Sequence, residues 1–139
     1  MMPSHVKIYS DGGARGNPGP AAIAFLICTD QGDPLCEHRE VIGPTTNNVA
    51  EYQAVIRALR RASELGAKTV DYYLDSQLVA QQLEGVYRVK TPHIRTLFDQ
   101  VNELRLQFQS TKFTHVPRTH ERIRYVDKLL NQALNAAGH

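Results

Sequence analysis

The stretch Asn48 to Gly66, NVAEYQAVIRALRRASELG, is where the pattern of the chain changes. Ala54, Val55, Ala58, Leu59, Ala62 and Leu65 recur at helical spacing, and Gly66 stands where a glycine just past the last turn ends a helix. Upstream, the apolar residues follow the period of strands. His5 to Ser10 alternates with Val6 and Ile8 on one face, and Ala22 to Thr29 is a short apolar run. Leu35 to Ile42 returns after the turn residues Gly32, Asp33 and Pro34. These three segments predict an antiparallel meander. Downstream, Thr69 to Asp75 alternates as a strand, and a short helix is expected from Ser76 to near Gly85. Thr91 and Pro92 read as the cap and first residue of a helix with the stripe Ile94, Leu97, Phe98, Val101, Leu104 and Phe108. Lys112 to Val116 is the last strand, and Val126, Leu129, Leu130, Ala133, Leu134 and Ala137 mark the last helix. A meander followed by parallel βα units predicts an α/β fold, a mixed sheet with helices on its faces. Where such a sheet changes winding direction, the strand ends leave a crevice suited to a site.

The chain has 139 residues, 42% of them apolar and 22% charged, which fits one globular domain over 1–139 and shows none of the depletion that marks disorder. No run approaches the ~18 apolar residues of a membrane span, and Met1 to Tyr9 lacks the basic-then-apolar order of an export leader. A cytoplasmic setting without a membrane partner is therefore expected. Cys28 and Cys36 are too few for a disulfide framework or a zinc site, and are read as ordinary thiols. The net charge of +2 permits a nucleic-acid partner without requiring one.

Four carboxylates carry the chemical argument. Glu51 precedes Ala54 and Val55 by three and four residues, on the inward stripe, where an unpaired charge costs several kcal/mol, roughly, unless a cation, a donor or a raised pKa compensates. A helix-edge glutamate with its head in water fits the spacing as well. Asp11 ends the first strand at a glycine-rich turn and Asp75 ends a later one before Ser76; singly, each reads as a turn or helix-entry residue. Asp127 follows Val126 at the edge of the last stripe and reads alone as an exposed first-turn aspartate. If the fold gathers all four, hard divalent cations with oxygen ligands, Mg²⁺ or Mn²⁺, are the natural way to offset their repulsion. No Walker A motif, dinucleotide fingerprint or Cys/His cluster offers another chemistry. Two such ions ~3.5 to 4 Å apart suit phosphodiester hydrolysis.

The motifs YSDGGARGNPGP (Tyr9 to Pro20), TTNNVAEY (Thr45 to Tyr52) and LDSQ (Leu74 to Gln77), with Asp127 near the start of the last helix, closely resemble type 1 ribonuclease H over essentially the whole chain. The resemblance implies a ribonuclease H-like five-stranded mixed sheet with helices on both faces. It also implies endonucleolytic cleavage of the RNA strand of RNA/DNA hybrids, leaving 5′-phosphate and 3′-hydroxyl ends. Asp11, Glu51, Asp75 and Asp127 take the places of the metal-binding carboxylates. Asp11 would bridge two ions, Glu51 and Asp75 would serve the nucleophile side, and Asp127 would hold the second ion. Gly12, Asn17, Asn48 and Gln77 match positions near the hybrid, and Thr46 matches the threonine that cradles a DNA phosphate. By residue type alone, the polar ones are turn and cap residues.

Departures from the family pattern are also visible. Pro44 replaces a basic residue common two positions before Thr46, and Thr91 stands where relatives often have Asn; its capping role is expected to survive. The segment from Gly85 to Pro92 is too short for the basic protrusion of some members, leaving Arg88, Lys90 and Arg15 as nearby cations and predicting strong salt dependence. The resemblance implies a loop histidine that assists proton transfer or product release. His115 and His120 are the candidates, with His120 favoured because His115 ends a strand, and Arg118 is another source of positive charge in that loop. A monomer acting on RNA/DNA hybrid is expected. The rival readings are a binding module that has lost catalysis, which would be expected to lack a carboxylate, and another nuclease of the same superfold.

Overall fold

The computed structural model describes residues 3–139. Its elements run β1 (His5–Ala14), β2 (Gly19–Thr29), β3 (Pro34–Thr45), α1 (Asn47–Glu64), β4 (Thr69–Leu74), α2 (Gln77–Leu83), α3 (Pro92–Arg105), β5 (Ser110–His115) and α4 (Glu121–Ala136). One five-stranded sheet has the order β3-β2-β1-β4-β5. β1, β2 and β3 pair antiparallel, and β4 and β5 continue from β1 in parallel. The order of elements and the mixed sheet match the expectation.

The alternation of β2 divides the core between two faces. Phe25 and Ile27 join Val6, Ile8, Tyr72 and the α1 residues Tyr52, Val55 and Leu59 in one cluster, while Ala22, Ala24, Leu26 and Cys28 meet Ile123, Val126, Leu130 and Leu134 of α4 on the other. Cys28 lies in the α4 cluster and Cys36 packs against the α1 cluster, both as free thiols.

Several boundaries differ from those expected, each for a physical reason. β1 extends past Ser10 to Ala14 because β2 continues to pair with it, Ala14 opposite Ala21. β4 stops at Leu74, so Asp75 lies just beyond the strand. Thr91 occupies the cap position of α3 but its side chain makes no capping bond; Pro92 begins that helix with φ already restricted by its ring. Phe108 lies beyond the end of α3 at Arg105, yet it is still buried against the core. α4 opens at Glu121, six residues before Asp127, so Asp127 belongs to the second turn rather than the first.

Candidate active site

The sheet positions two carboxylates by register alone. β1 and β4 run parallel, with Tyr9 beside Tyr73 as their last paired residues. Two residues further along each chain, Asp11 and Asp75 stand at the same level, where the strands part. β1 also separates the antiparallel half of the sheet from the parallel half, so this is the crevice that the topology predicts.

α1 brings the third. Gly12 is so close to the helix that a Cβ built on it would lie 2.3 Å from the carbonyl carbon of Ala50, and its N–H donates to Glu51 Oε1 at 2.9 Å. Glu51 is 6% exposed and Asp11 8%, which excludes the reading of Glu51 as an edge residue with its head in water. Carboxylate oxygens of Asp11, Glu51 and Asp75 lie within 4.8 Å of one another. Asp127, exposed on α4, lines the same cavity of about 530 Å³, together with Gly12, Asn47, Asn48, Ser76, Arg118 and Asn131.

The charges in this cavity are not at ease. Burial raises the pKa of Asp11, and the facing Glu51, Asp75 and Asp127 raise it further. Burial also raises that of Glu51, against the lowering effect of the neighbouring Asp11 carboxyl and the Gly12 N–H. Glu51 Oε2 is buried without a hydrogen-bond partner among the described residues. Crowded, hard oxygen donors with an orphaned buried oxygen and no sulfur or imidazole among them fit a hard divalent cation.

Arg118 reaches this site, its Nε donating to Asp75 Oδ2 at 3.4 Å from a side chain that is 88% exposed. His120 does not line the cavity. It caps α4, its Nδ1 accepting from the N–H of Arg122 at 3.2 Å, and its ring stacks on Tyr9 at 5.5 Å. The expectation that His120 serves the chemistry meets a side chain already committed to the helix start. His115 is the exposed last residue of β5.

The residues expected near the substrate divide into two groups. Asn17, Thr46 and Asn48 line a second cavity with Asn47, Thr91, His93 and Ile94, which shares Asn47 and Asn48 with the first. Within it Asn17 Oδ1 accepts from the N–H of Asn47 at 3.1 Å and Thr46 Oγ1 caps α1 through Val49 N–H. Gln77 is exposed at the start of α2 and lines neither cavity; its neighbour Ser76 does. Gly12 lines the first cavity but is buried, and its visible work is to seat α1 and aim Glu51. Sequence reasoning missed Asn131, Asn47 and His93. Asn131 was open to discovery, since it lies one turn after Asp127 and its Nδ2 donates to the Asp127 carbonyl at 2.9 Å.

Comparison with known proteins agrees with this fold. Residues 9–133 match the family model described as reverse transcriptase-like. The chain is 41% identical to the Ribonuclease HI of Halobacterium salinarum over 133 residues, and the crystal structure of that organism's RNase H1 superposes with a TM-score of 0.89, covering 95% of this chain and 98% of the other. The chain is a member of the ribonuclease H family of enzymes. The N-terminal RNase H domain of Rv2228c from Mycobacterium tuberculosis, 40% identical, superposes on it with a TM-score of 0.91, covering 97% of this chain and 96% of that one. LC11-RNase H1, isolated from compost and solved with an RNA/DNA hybrid, is 39% identical with a TM-score of 0.90, covering 96% of this chain and 99% of that one. The chain spans 36% of the whole mycobacterial protein and 65% of the halobacterial one. The ribonuclease H fold therefore accounts for the five-stranded mixed sheet and for the crevice in which the carboxylates meet.

Proposed function

We propose that this domain hydrolyses the RNA strand of RNA/DNA hybrids endonucleolytically, giving 5′-phosphate and 3′-hydroxyl ends, with two divalent cations, Mg²⁺ or Mn²⁺, held by Asp11, Glu51, Asp75 and Asp127. The observation that carries this reading is the convergence of Asp11, Glu51 and Asp75 within 4.8 Å in a cavity that Asp127 also lines. Such ions, when bound, supply a water acidic enough to attack a phosphodiester and charge to stabilise the departing oxygen. The chain's own residues do the rest. Gly12 fixes the direction of Glu51, and Asn131 supports the backbone at Asp127. Arg118 stands beside Asp75, where it can meet the negative charge of a scissile phosphate. Asn17, Thr46 and Asn48 line the neighbouring cavity, suited to the backbone of the hybrid. The solved hybrid complex of LC11-RNase H1 supports the choice of substrate. The connection 84–91 between α2 and α3 is short, so the domain would grip hybrids without a basic protrusion.

The test is cleavage of end-labelled RNA/DNA hybrid, double-stranded RNA and double-stranded DNA with Mg²⁺, with Mn²⁺ and with a chelator. Cleavage of the RNA strand of the hybrid, abolished by chelator, is the expected result. Absence of hybrid cleavage with either ion would reject the assignment, and equal cleavage of double-stranded RNA would reject the preference for hybrids.

A further inference from the structure

The solvent side of α4 carries a stripe that the carboxylate site does not use. Arg124, Lys128, Asn131 and Gln132 recur at i, i+4, i+7 and i+8 and so share one side of the helix. Arg124 and Lys128 are exposed one turn apart, and among the described residues neither lies within ion-pair distance of an acid. Like charges at that spacing mildly disfavour a helix, so the pair gains nothing within the protein alone. Two further guanidinium groups lean on the same stripe. Arg15 donates to Asn131 Oδ1 at 3.2 Å, and Arg39 donates to Gln132 Oε1.

This stripe touches the carboxylate cavity. Asp127 lies between Arg124 and Asn131 on the helix, and it lines both that cavity and a groove formed with Thr119, Glu121, Arg122, Arg124, Tyr125 and Lys128. The groove's other charged groups are oriented elsewhere. Asp127 faces Asp11, Arg122 donates to the carbonyl of Gly32 at 3.0 Å, and Glu121 sits at the positive end of α4. On the adjoining β3, Glu37 accepts from the hydroxyl of Tyr125 at 2.6 Å. Among the described residues Arg124 and Lys128 form no ion pair with the acids that share their groove, Glu121 and Asp127, and so stand as unpaired cations beside the reacting centre.

We propose that Arg124 and Lys128 bind backbone phosphates of the RNA strand as it runs out of the carboxylate cavity, a role that rests on the hybrid-cleaving reading above. Two cations ~6 Å apart along a helix suit successive phosphates of one strand. The RNA strand is the one indicated because its scissile phosphate occupies the cavity that shares Asp127 with this groove. The Asn17–Thr46–His93 cavity shares no residue with the groove.

The experiment compares wild type with R124Q/K128Q and with R124K/K128R on three substrates: a blunt hybrid, the same hybrid with its RNA strand extended beyond the duplex, and one with its DNA strand extended. KM and kcat are measured across a range of salt concentrations. For the RNA-extended hybrid, the glutamine variant should show a raised KM with kcat held within about twofold. The slope of log KM against log salt should fall by about 1.4, the value for two single-strand phosphate contacts. The charge-conserving variant should recover both. An unchanged KM and salt slope on the RNA-extended substrate would overturn the proposal, as would a KM effect confined to the DNA-extended one. Wild type that cleaves no hybrid at all would instead reject the underlying reading.

Discussion

The N–H of Gly12 and the Oε1 of Glu51 meet at 2.9 Å across the seam between β1 and α1, at a point where a Cβ on Gly12 would come within 2.3 Å of the backbone of Ala50. One residue thus sets how closely the helix seats on the sheet and where its buried carboxylate points. The missing side chain at position 12 is a condition of the site's geometry.

Gly12→Ala should therefore damage stability and activity together. The helix must lift or the strand must bend, and overpacking of this kind typically costs about 1–3 kcal/mol. A lowered thermal midpoint by circular dichroism and reduced hybrid cleavage are expected. A variant that melts like wild type would show that α1 does not approach β1 so closely.

Glu51→Gln should separate the two properties. It removes a buried charge whose Oε2 has no partner, while keeping a carbonyl-type oxygen to accept from Gly12. The metal-free variant is expected to be at least as stable as wild type in urea, and hybrid cleavage should fall ~10²-fold or more with the loss of a ligand. A large loss of stability with activity retained would assign Glu51 to the core.

The metal-free protein should lose stability as the pH rises. Asp11 and Glu51 both titrate above their ordinary range, through burial first, so the folded state binds more protons than the unfolded one. Their contribution is fully present below the ordinary carboxylate pKa near 4 and is lost as pH climbs through the raised values. Denaturation in chelator from pH 5 to pH 8 should show this decline, and Glu51→Gln should flatten it. Mg²⁺ should stabilise the protein more at the alkaline end, where it competes with fewer protons. A wild type whose stability relative to Glu51→Gln grows with pH would contradict the sign.

Arg118 and His120 should behave in opposite ways. His120→Ala removes a cap and a stacked ring, worth about 1 kcal/mol for the cap by analogy with other caps, so the melting temperature should fall while kcat of the folded enzyme is kept. Arg118→Ala removes an exposed side chain that touches only Asp75 at the site, so stability should move by less than about 0.5 kcal/mol while kcat or KM on hybrid worsens. A His120→Ala enzyme with normal melting and lost turnover would restore the histidine to the chemistry.

Much of this molecule can be read along the chain. Glycine after a helical stripe marked the end of α1, and Gly66 has φ +85 there, a conformation that glycine adopts without steric cost. Glu51 on that stripe signalled an unusual carboxylate because periodicity fixes the facing of a residue on its own element. Asp127 was harder to place. The first turn of α4 is polar apart from Ile123, so the apolar stripe read from the sequence begins at Val126, and the start at Glu121 depends on a cap made by His120.

Local pattern and residue type determined the order of the elements, the two faces of the sheet and which carboxylates were out of place, since those follow from side-chain period and the cost of burying charge. The common level of Asp11 and Asp75, the pressing of Gly12 against α1, the engagement of His120 as a cap and the arrival of Arg118 beside Asp75 were decided only by tertiary structure. Each of these joins residues from different elements, and strand register and helix seating arise from packing that no single segment encodes.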